Sequence, residues 1–589
     1  MPTARNNLML ALLLVPWGYG AAQTSRWVDS TLSSLSLEEK VGQLFVAELV
    51  PLYTNEDHPA YRYALDMVRQ YHVGTFILGG GSVLDIPIIT NKLQNASRVP
   101  LLINADLEAG MTYTHPWRLS RGWTERLPRY IAGGGTQFPS QMAIGATGDP
   151  AYAHELGRIT ALEAGAIGIH WSNSPVADVN NNADNPIINT RSYGEDPALV
   201  ASMVEAYVRG AQSERMIATL KHFPGHGDTR EDSHMGLPSL PFTLGRLDSV
   251  ELVPFRAGIA SGARAVMTSH LALPQIDPTG RPATLSRPVI TGILRTRLAF
   301  DGIVITDGMR MQGITDHFSS AEAAINAIEA GADAILAIAD IDSAFRGVVA
   351  AVRAGRISEE RVNISVRRIL AAKEWAGLAL KRTVAVDSIF SVVGAERFRL
   401  KAEEISNASV TLFRNAGNVI PLKPTASVTL VTVSEDPQPG LGVDLLEGVE
   451  PFVRSASLLR VSNETGSERF REISASAGKS DVLLVGVYLS VVAWKGDRSF
   501  SKPLQDFLGS LGRFPVPVIA VAFGDPYVLG KLPVTQVVMT PFNGTILAER
   551  SVAGAITGRI RIAGRSPVTV PGRYTRGEGI VMEARGNGN

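Results

Sequence analysis

Apolar runs alternate with amphipathic stretches along the first two-thirds of the chain. Eight of the runs read as strands: Val41–Leu49, Gly74–Leu78, Pro100–Ala105, Ala166–Trp171, Met216–Lys221, Ala265–His270, Gly302–Thr306 and Ala332–Ile338. Most carry a segment of helical spacing between them, for example Pro197–Ser213 and Ala321–Ala330. The first is preceded by Ser36-Leu37-Glu38-Glu39, where the serine and a glutamate three positions on fit a capping box for a short helix. Strands that are apolar throughout and separated by helices predict a parallel sheet buried on both faces. Eight such units over about 340 residues suit a closed (β/α)8 barrel with insertions better than an open sheet. After Ser406 a second alternating series begins, with Ser427–Val433, Asp481–Tyr488, Val516–Phe523 and Gln536–Met539 as strands. It predicts a smaller α/β domain. Few histidines or carboxylates cluster there, so its expected role is mainly structural.

Composition sharpens this picture without changing it. A chain of 589 residues is too long for one ordinary core and comfortable for two domains. Lys+Arg and Asp+Glu are both 56, and a net charge of zero argues against a nucleic-acid binder, which needs a basic face for phosphates. There is no cysteine, which excludes disulfides, thiolate nucleophiles and Cys-type zinc sites. At the start of the chain, Arg5, the apolar run Leu8–Val15 and the small residues Gly20-Ala21-Ala22 read as an export signal over residues 1–22. That run is too short to span a membrane, which takes roughly 20 apolar residues. Without cysteine there is no lipid anchor at a lipobox, so the expected product is soluble, secreted or periplasmic, and free of the membrane. Gly79-Gly80-Gly81 and Gly133-Gly134-Gly135 lack the spacing of a phosphate-binding fingerprint.

The densest group of chemically useful side chains follows the fifth strand. Lys221-His222-Phe223-Pro224-Gly225-His226-Gly227-Asp228-Thr229-Arg230-Glu231-Asp232-Ser233-His234 holds three of the chain's 10 histidines. Pro224, Gly225 and Gly227 prevent a helix, so the segment is a loop, and in a barrel it lies at the C-terminal rim where active sites are built. Asp232 and His234 are two apart, close enough for the carboxylate to hold the imidazole in one tautomer. His222, His226 and His234 with Asp228 or Asp232 also suggest metal ligands. Their spacing matches no closed zinc motif, and no metal or cofactor is expected. Asp307 ends the seventh strand, and such an Asp points into the barrel mouth or caps the next helix. Asp106 ends the third, and Arg191 sits in an Asn-rich loop after the fourth. Acids, an Arg, a Lys and histidines at one rim suit a polyhydroxyl ligand, whose hydroxyls need donors and acceptors alike.

The run KHFPGHGDTREDSH at Lys221–His234 resembles the signature of family 3 glycoside hydrolases of the β-N-acetylglucosaminidase type. Further stretches match in the same order: DLEAG at Asp106–Gly110, FPSQMAIGA at Phe138–Ala146, SPVADVN at Ser174–Asn180, NTRSYGEDP at Asn189–Pro197, MTSHLALP at Met267–Pro274 and GIVITDGM at Gly302–Met309. Looser matches continue through Ala402–Ile405, Ser409–Asn415 and Ile556–Pro571. The resemblance implies a TIM-type (β/α)8 barrel followed by an α/β sandwich domain, divided here into a barrel over 30–380, a linker over 381–405, a second domain over 406–575 and a flexible tail over 576–589. It implies a retaining mechanism with Asp307 as nucleophile, His234 as general acid and base, and Asp232 as its dyad partner. Lys221, His222, Asp106 and Arg191 match the family's contacts to sugar hydroxyls. The implied activity is removal of terminal β-linked GlcNAc from peptidoglycan fragments or chitooligosaccharides, by a monomer needing no cofactor. The alternatives are a β-glucosidase, broad β-hexosidase or phosphorylase of the same family, or a glycan-binding protein without catalysis.

Two departures bear on specificity. The family usually continues DQEGG with Arg-Val and a second sugar-contacting Arg, whereas here Met111 and Thr112 follow DLEAG and Thr114 takes that Arg's place. The long loop that runs on to Gln137 holds Trp117, Arg118, Arg121, Trp123 and Arg126, either a substitute sugar contact or a peripheral insertion. After the nucleophile the family's Asp-Leu-x-Met is replaced by Gly308-Met309-Arg310-Met311, which removes a negative neighbour.

Overall fold

The computed structural model describes residues 25–111, 135–489 and 500–585. The expected export signal, Thr112, Thr114 and the Trp- and Arg-bearing stretch of the long loop lie outside the described residues.

All eight expected barrel strands form: β1 Phe45–Leu49, β2 Thr75–Leu78, β3 Leu102–Ala105, β4 Trp171–Ser172, β5 Ile217–Phe223, β6 Ala265–Thr268, β7 Ile303–Ile305 and β8 Ile335–Leu336. They pair in parallel in the order β7-β6-β5-β4-β3-β2-β1-β8, and a bridge between Ile305 and Ala334 brings the two ends together. The strands read as unbroken apolar runs because both faces are buried. On β1 Val46, on β6 Ala265 and Met267, and on β7 Ile303 and Ile305 join Trp171 and Leu336 in one cluster inside the barrel. Their neighbours Phe45, Ala47, Val266 and Val304 pack in the other cluster, under the surrounding helices.

Strand ends are where the sequence reading drifts. Val41–Gln43 belong to the helix Leu37–Gln43, which Ser36 and Glu39 cap reciprocally, and β1 starts at Phe45. Ala166 closes the helix Pro150–Ala166, and β4 is only Trp171–Ser172. A buried apolar helix turn and a buried strand have the same hydropathy pattern, so periodicity does not separate them.

The second domain is a six-stranded sheet: β9 Thr411–Asn415, β10 Ser427–Ser434, β11 Ser455–Val461, β12 Val482–Leu489, β13 Val518–Gly524 and β14 Val537–Thr540. The order is β11-β10-β12-β13-β14-β9, parallel except for the β14–β9 pair. Separate apolar clusters cover its two faces, with Leu430, Leu484 and Ile519 in one and Val431, Val485 and Ala520 in the other. Of the stretch expected as a tail, residues 576–585 pack back on this domain. Met582 bridges Ile562, Ile580 N–H donates to Leu412 O at 2.6 Å, and Arg585 N–H donates to Gly558 O at 2.8 Å.

The two units share a small apolar contact in which Met142, Ala143 and Ala146 of the barrel meet Tyr527, Phe542 and Val568. Polar bonds flank it. The Glu195 carboxylate accepts from the Thr569 N–H and hydroxyl, both at 2.7 Å, and Asn180 Nδ2 donates to the Tyr527 hydroxyl at 2.7 Å. Among the described residues no helix is long and apolar enough to cross a membrane.

Candidate active site

Strand β7 delivers Asp307 to the floor of a cleft at the C-terminal end of the barrel. Its N–H donates to Thr268 O at 3.1 Å, and its Oδ1 accepts from the Gly308 N–H at 2.7 Å. Burial pushes this carboxyl up, but His222, His270 and His234 and the Gly308 N–H outweigh it and hold the group at about 2. His270 is locked in turn by Thr284 Oγ1 at 2.9 Å and Gly308 O at 3.0 Å, which supports the turn that carries Asp307.

Strand β5 delivers Lys221 and His222 next to it. Asp178, fully buried, accepts from the backbone N–H of His222 at 3.1 Å and of His226 at 2.7 Å, and its Oδ2 lies 2.7 Å from His222 Nδ1. Burial pushes the Asp178 carboxyl up, yet the facing His222 and His226 bring it below its ordinary value. With Nδ1–H donated to Asp178, His222 turns Nε2 toward Arg191 Nη2, 3.5 Å away.

The histidine-rich loop beyond is tied down from within. His226 is buried between Ser233 Oγ and Thr229 Oγ1, each at 2.8 Å, and burial lowers it to about 4, so it is neutral at pH 7. The glycines are needed for close approach. A Cβ on Gly227 would lie 1.8 Å from Val179 O, and Gly225 has φ +133° with Glu251 against it. The loop thereby delivers Asp232 and His234 together: Asp232 Oδ1 accepts from the His234 N–H at 2.9 Å and lies 2.6 Å from His234 Nδ1. This sets the tautomer and leaves Nε2 to carry the exchangeable proton.

The third wall comes from Asp106, in the DLEAG segment after β3, with Glu108 behind it. Asp106 Oδ1 accepts from Asn173 Nδ2 at 3.2 Å and lies 3.4 Å from Lys221 Nζ. Glu108 takes a forked pair from Arg191, at 2.9 and 2.8 Å, and lies 2.7 Å from Lys221 Nζ.

Six of the seven expected catalytic and sugar-contacting residues are brought to one place. Asp106, Arg191, Lys221, His222, His234 and Asp307 line a single cleft with Met267, Met311 and Leu336. Asp232 stands behind His234 and borders a second cavity of about 730 Å³ between the barrel and the second domain, where Arg230, Met235, Tyr527 and Lys531 contribute walls. The three loop histidines do not converge on a metal: they turn to Asp178, to Ser233 and Thr229, and to Asp232. Among the described residues no three His, Asp or Glu side chains are placed to hold an ion. Sequence reasoning missed the roles of Asp178 and Glu108, although both stand inside quoted motifs. It also missed Arg310 in the cleft wall, paired to Glu48 of β1 at 2.6 Å, for which only proximity to Asp307 in the chain was a signal.

A carboxylate held ionised, an imidazole backed by a carboxylate, and cations beside acids in a cleft form a set for acid–base and nucleophilic chemistry on a hydroxyl-rich substrate. The sequence profile described as the Glycosyl hydrolase family 3 N terminal domain matches residues 36–372. The chain is 28% identical over 563 residues to a beta-N-acetylglucosaminidase/beta-glucosidase of Cellulomonas fimi, covering 92% of this chain and 95% of that one. A solved glycoside hydrolase family 3 beta-N-acetylglucosaminidase from Paenibacillus sp. str. FPU-7 superposes with a TM-score of 0.78 at 32% identity, over 91% of this chain and 99% of that one. The beta-glucoside phosphorylase BglX superposes with a TM-score of 0.78 at 25% identity, over 92% of this chain and 96% of its own. The barrel and second domain, the match over most of the barrel and the relatives agree: this chain is a glycoside hydrolase of family 3.

Proposed function

We propose that the protein is a retaining exo-β-N-acetylglucosaminidase that removes terminal β-linked GlcNAc from peptidoglycan fragments or chitooligosaccharides. The observation that carries this reading is the Asp232–His234 pair at 2.6 Å, set in the same rim as an ionised Asp307. In the first step the Asp307 carboxylate attacks the anomeric carbon while the bond to the leaving oxygen breaks, and that oxygen takes the proton from His234. In the second, His234 takes a proton from water, the oxygen attacks the same carbon, and Asp307 leaves with the bonding pair. The usual two-carboxylate retaining scheme is kept in form, with an Asp-backed imidazole in place of the second carboxyl. An imidazole has an ordinary pKa of about 6.5, suited to giving and taking a proton near neutrality. Asp106, Arg191, Lys221 and His222 hold the sugar hydroxyls. The names of the Cellulomonas and Paenibacillus relatives support GlcNAc, and the export pattern in residues 1–22 supports action outside the cytoplasm.

Asp307→Ala and His234→Ala should each abolish p-nitrophenol release from the GlcNAc glycoside, and undiminished turnover in either overturns the assignment. A second reading, a broader β-glycosidase or phosphorylase, is favoured by the dual name of the Cellulomonas relative and by the likeness to BglX. A neutral imidazole, unlike a carboxylate base, does not repel an incoming phosphate. A panel of GlcNAc, Glc, Xyl and GalNAc aryl glycosides with and without inorganic phosphate separates the readings by substrate rank and by sugar 1-phosphate formed.

A further inference from the structure

We propose that Glu108 is a positioning residue for the reaction, whose carboxylate holds Arg191 and Lys221 in the one arrangement that meets the sugar ring. This rests on the reading that those two cations contact substrate hydroxyls.

The three side chains come from separate segments. Glu108 follows β3, Arg191 ends the short turn Asn189–Arg191 after β4, and Lys221 belongs to β5. Glu108 is 3% exposed and takes no part in the cleft wall, whereas Asp106, two residues earlier, does. The pair therefore divides the work: Asp106 faces the ligand, and Glu108 faces the cations from behind. Its Oε2 accepts from Arg191 Nε at 2.9 Å, and its Oε1 accepts from Arg191 Nη2 at 2.8 Å and lies 2.7 Å from Lys221 Nζ. The fork fixes the plane of the guanidinium, and Arg191 Nη1 donates to Ile187 O at 3.0 Å, fixing its remaining edge. Arg and Lys are the side chains with most rotamer freedom. One buried carboxylate that engages both removes this freedom on folding, before substrate arrives, and offsets the repulsion between two cations in a cleft of low dielectric.

The test is Glu108→Gln in the full chain, which keeps shape and removes charge, assayed on whichever aryl glycoside of the panel the wild type turns over. We expect kcat/KM to fall about 100-fold, the scale seen when one member of a buried hydrogen-bonded charge pair is lost. In an Arg191→Met background the same change should cost at least tenfold less, because one of the two groups it positions has gone and only the hold on Lys221 is left to lose. A merely structural residue would repeat its full loss there. Should the Gln variant fail to fold, Glu108→Asp, with the charge kept and the reach shortened, should still lose tenfold or more. Retention of kcat/KM within threefold in the variant that folds, or an undiminished loss in the Arg191→Met background, overturns the inference. Wild-type turnover of a glucoside but not of a GlcNAc glycoside overturns the functional reading alone. Turnover of none overturns both.

Discussion

Replacing Asp307 by Asn tests the electrostatics of the cleft independently of any substrate. The perturbation keeps the size of the side chain and swaps a carboxylate for a neutral amide. Burial alone would make that swap stabilising, since a charge in a cleft loses hydration. The facing His222, His270 and His234 and the Gly308 N–H reverse the sign and hold the carboxyl at about 2 rather than 3.8. At about 1.36 kcal/mol per pH unit, that gap is worth about 2 kcal/mol in favour of the charged form in the folded protein. Because the folded value lies below the unfolded one, unfolding takes up a proton between pH 4 and 2. The stabilisation is thus fully present above about pH 5 and lost as pH falls through about 2. Asp307→Asn should therefore be less stable than wild type by about 2 kcal/mol at pH 7, or roughly 3 °C in melting temperature for a domain of about 350 residues. The difference should shrink steadily below pH 4. Calorimetric melting of both proteins between pH 7 and 3 measures it, and other depressed carboxylates, Asp178 and Asp333 among them, are present in both proteins and cancel to first order. An Asn variant that melts above wild type at pH 7 would show that burial, not the histidines, dominates the site. A difference independent of pH would refute the argument equally.

Two further substitutions probe how the site is held. Gly227→Ala places a Cβ 1.8 Å from Val179 O, a backbone atom that cannot swing away, so the loop carrying Asp232 and His234 must shift. Activity should drop at least tenfold with a stability loss of about 1–3 kcal/mol, the usual cost of overpacking, and wild-type kcat/KM and melting would show that the loop does not need the close approach. Glu195→Ala removes the acceptor shared by the Thr569 N–H and hydroxyl and should weaken the docking of the second domain by about 1–3 kcal/mol. A single calorimetric transition should then separate into two; transitions that remain coincident would place the coupling of the domains elsewhere.

Much of the fold was legible along the chain for a definite reason. Strands of a barrel are buried on both faces, so each of the eight announces itself as an apolar run, and the same holds for the central strands of the second domain. The strands that escaped notice are the two at its edges. β11, Ser455–Val461, is largely solvent-facing and carries little apolar signal, while β9, Thr411–Asn415, ends in Arg414 and Asn415 and joins the sheet antiparallel. Nothing local marks such a strand, because its pairing partner β14 lies more than a hundred positions on.

The same division runs through the site. By itself the sequence determined the loop, since Pro224, Gly225 and Gly227 forbid a helix, and the Asp232–His234 pair, since residues two apart in a tight turn meet without help from the rest of the chain. It also placed Asp307 and Asp106 at one rim, because parallel strands in a barrel all end on the same side. Only the tertiary structure decided what stands behind these groups. Glu108 reaches Arg191 across 83 positions, Asp178 reaches His222 across 44, and Arg310 reaches Glu48 across 262. A charge-assisted bond requires only a few ångströms of separation in space, and chain distance carries no information about it once the barrel has closed.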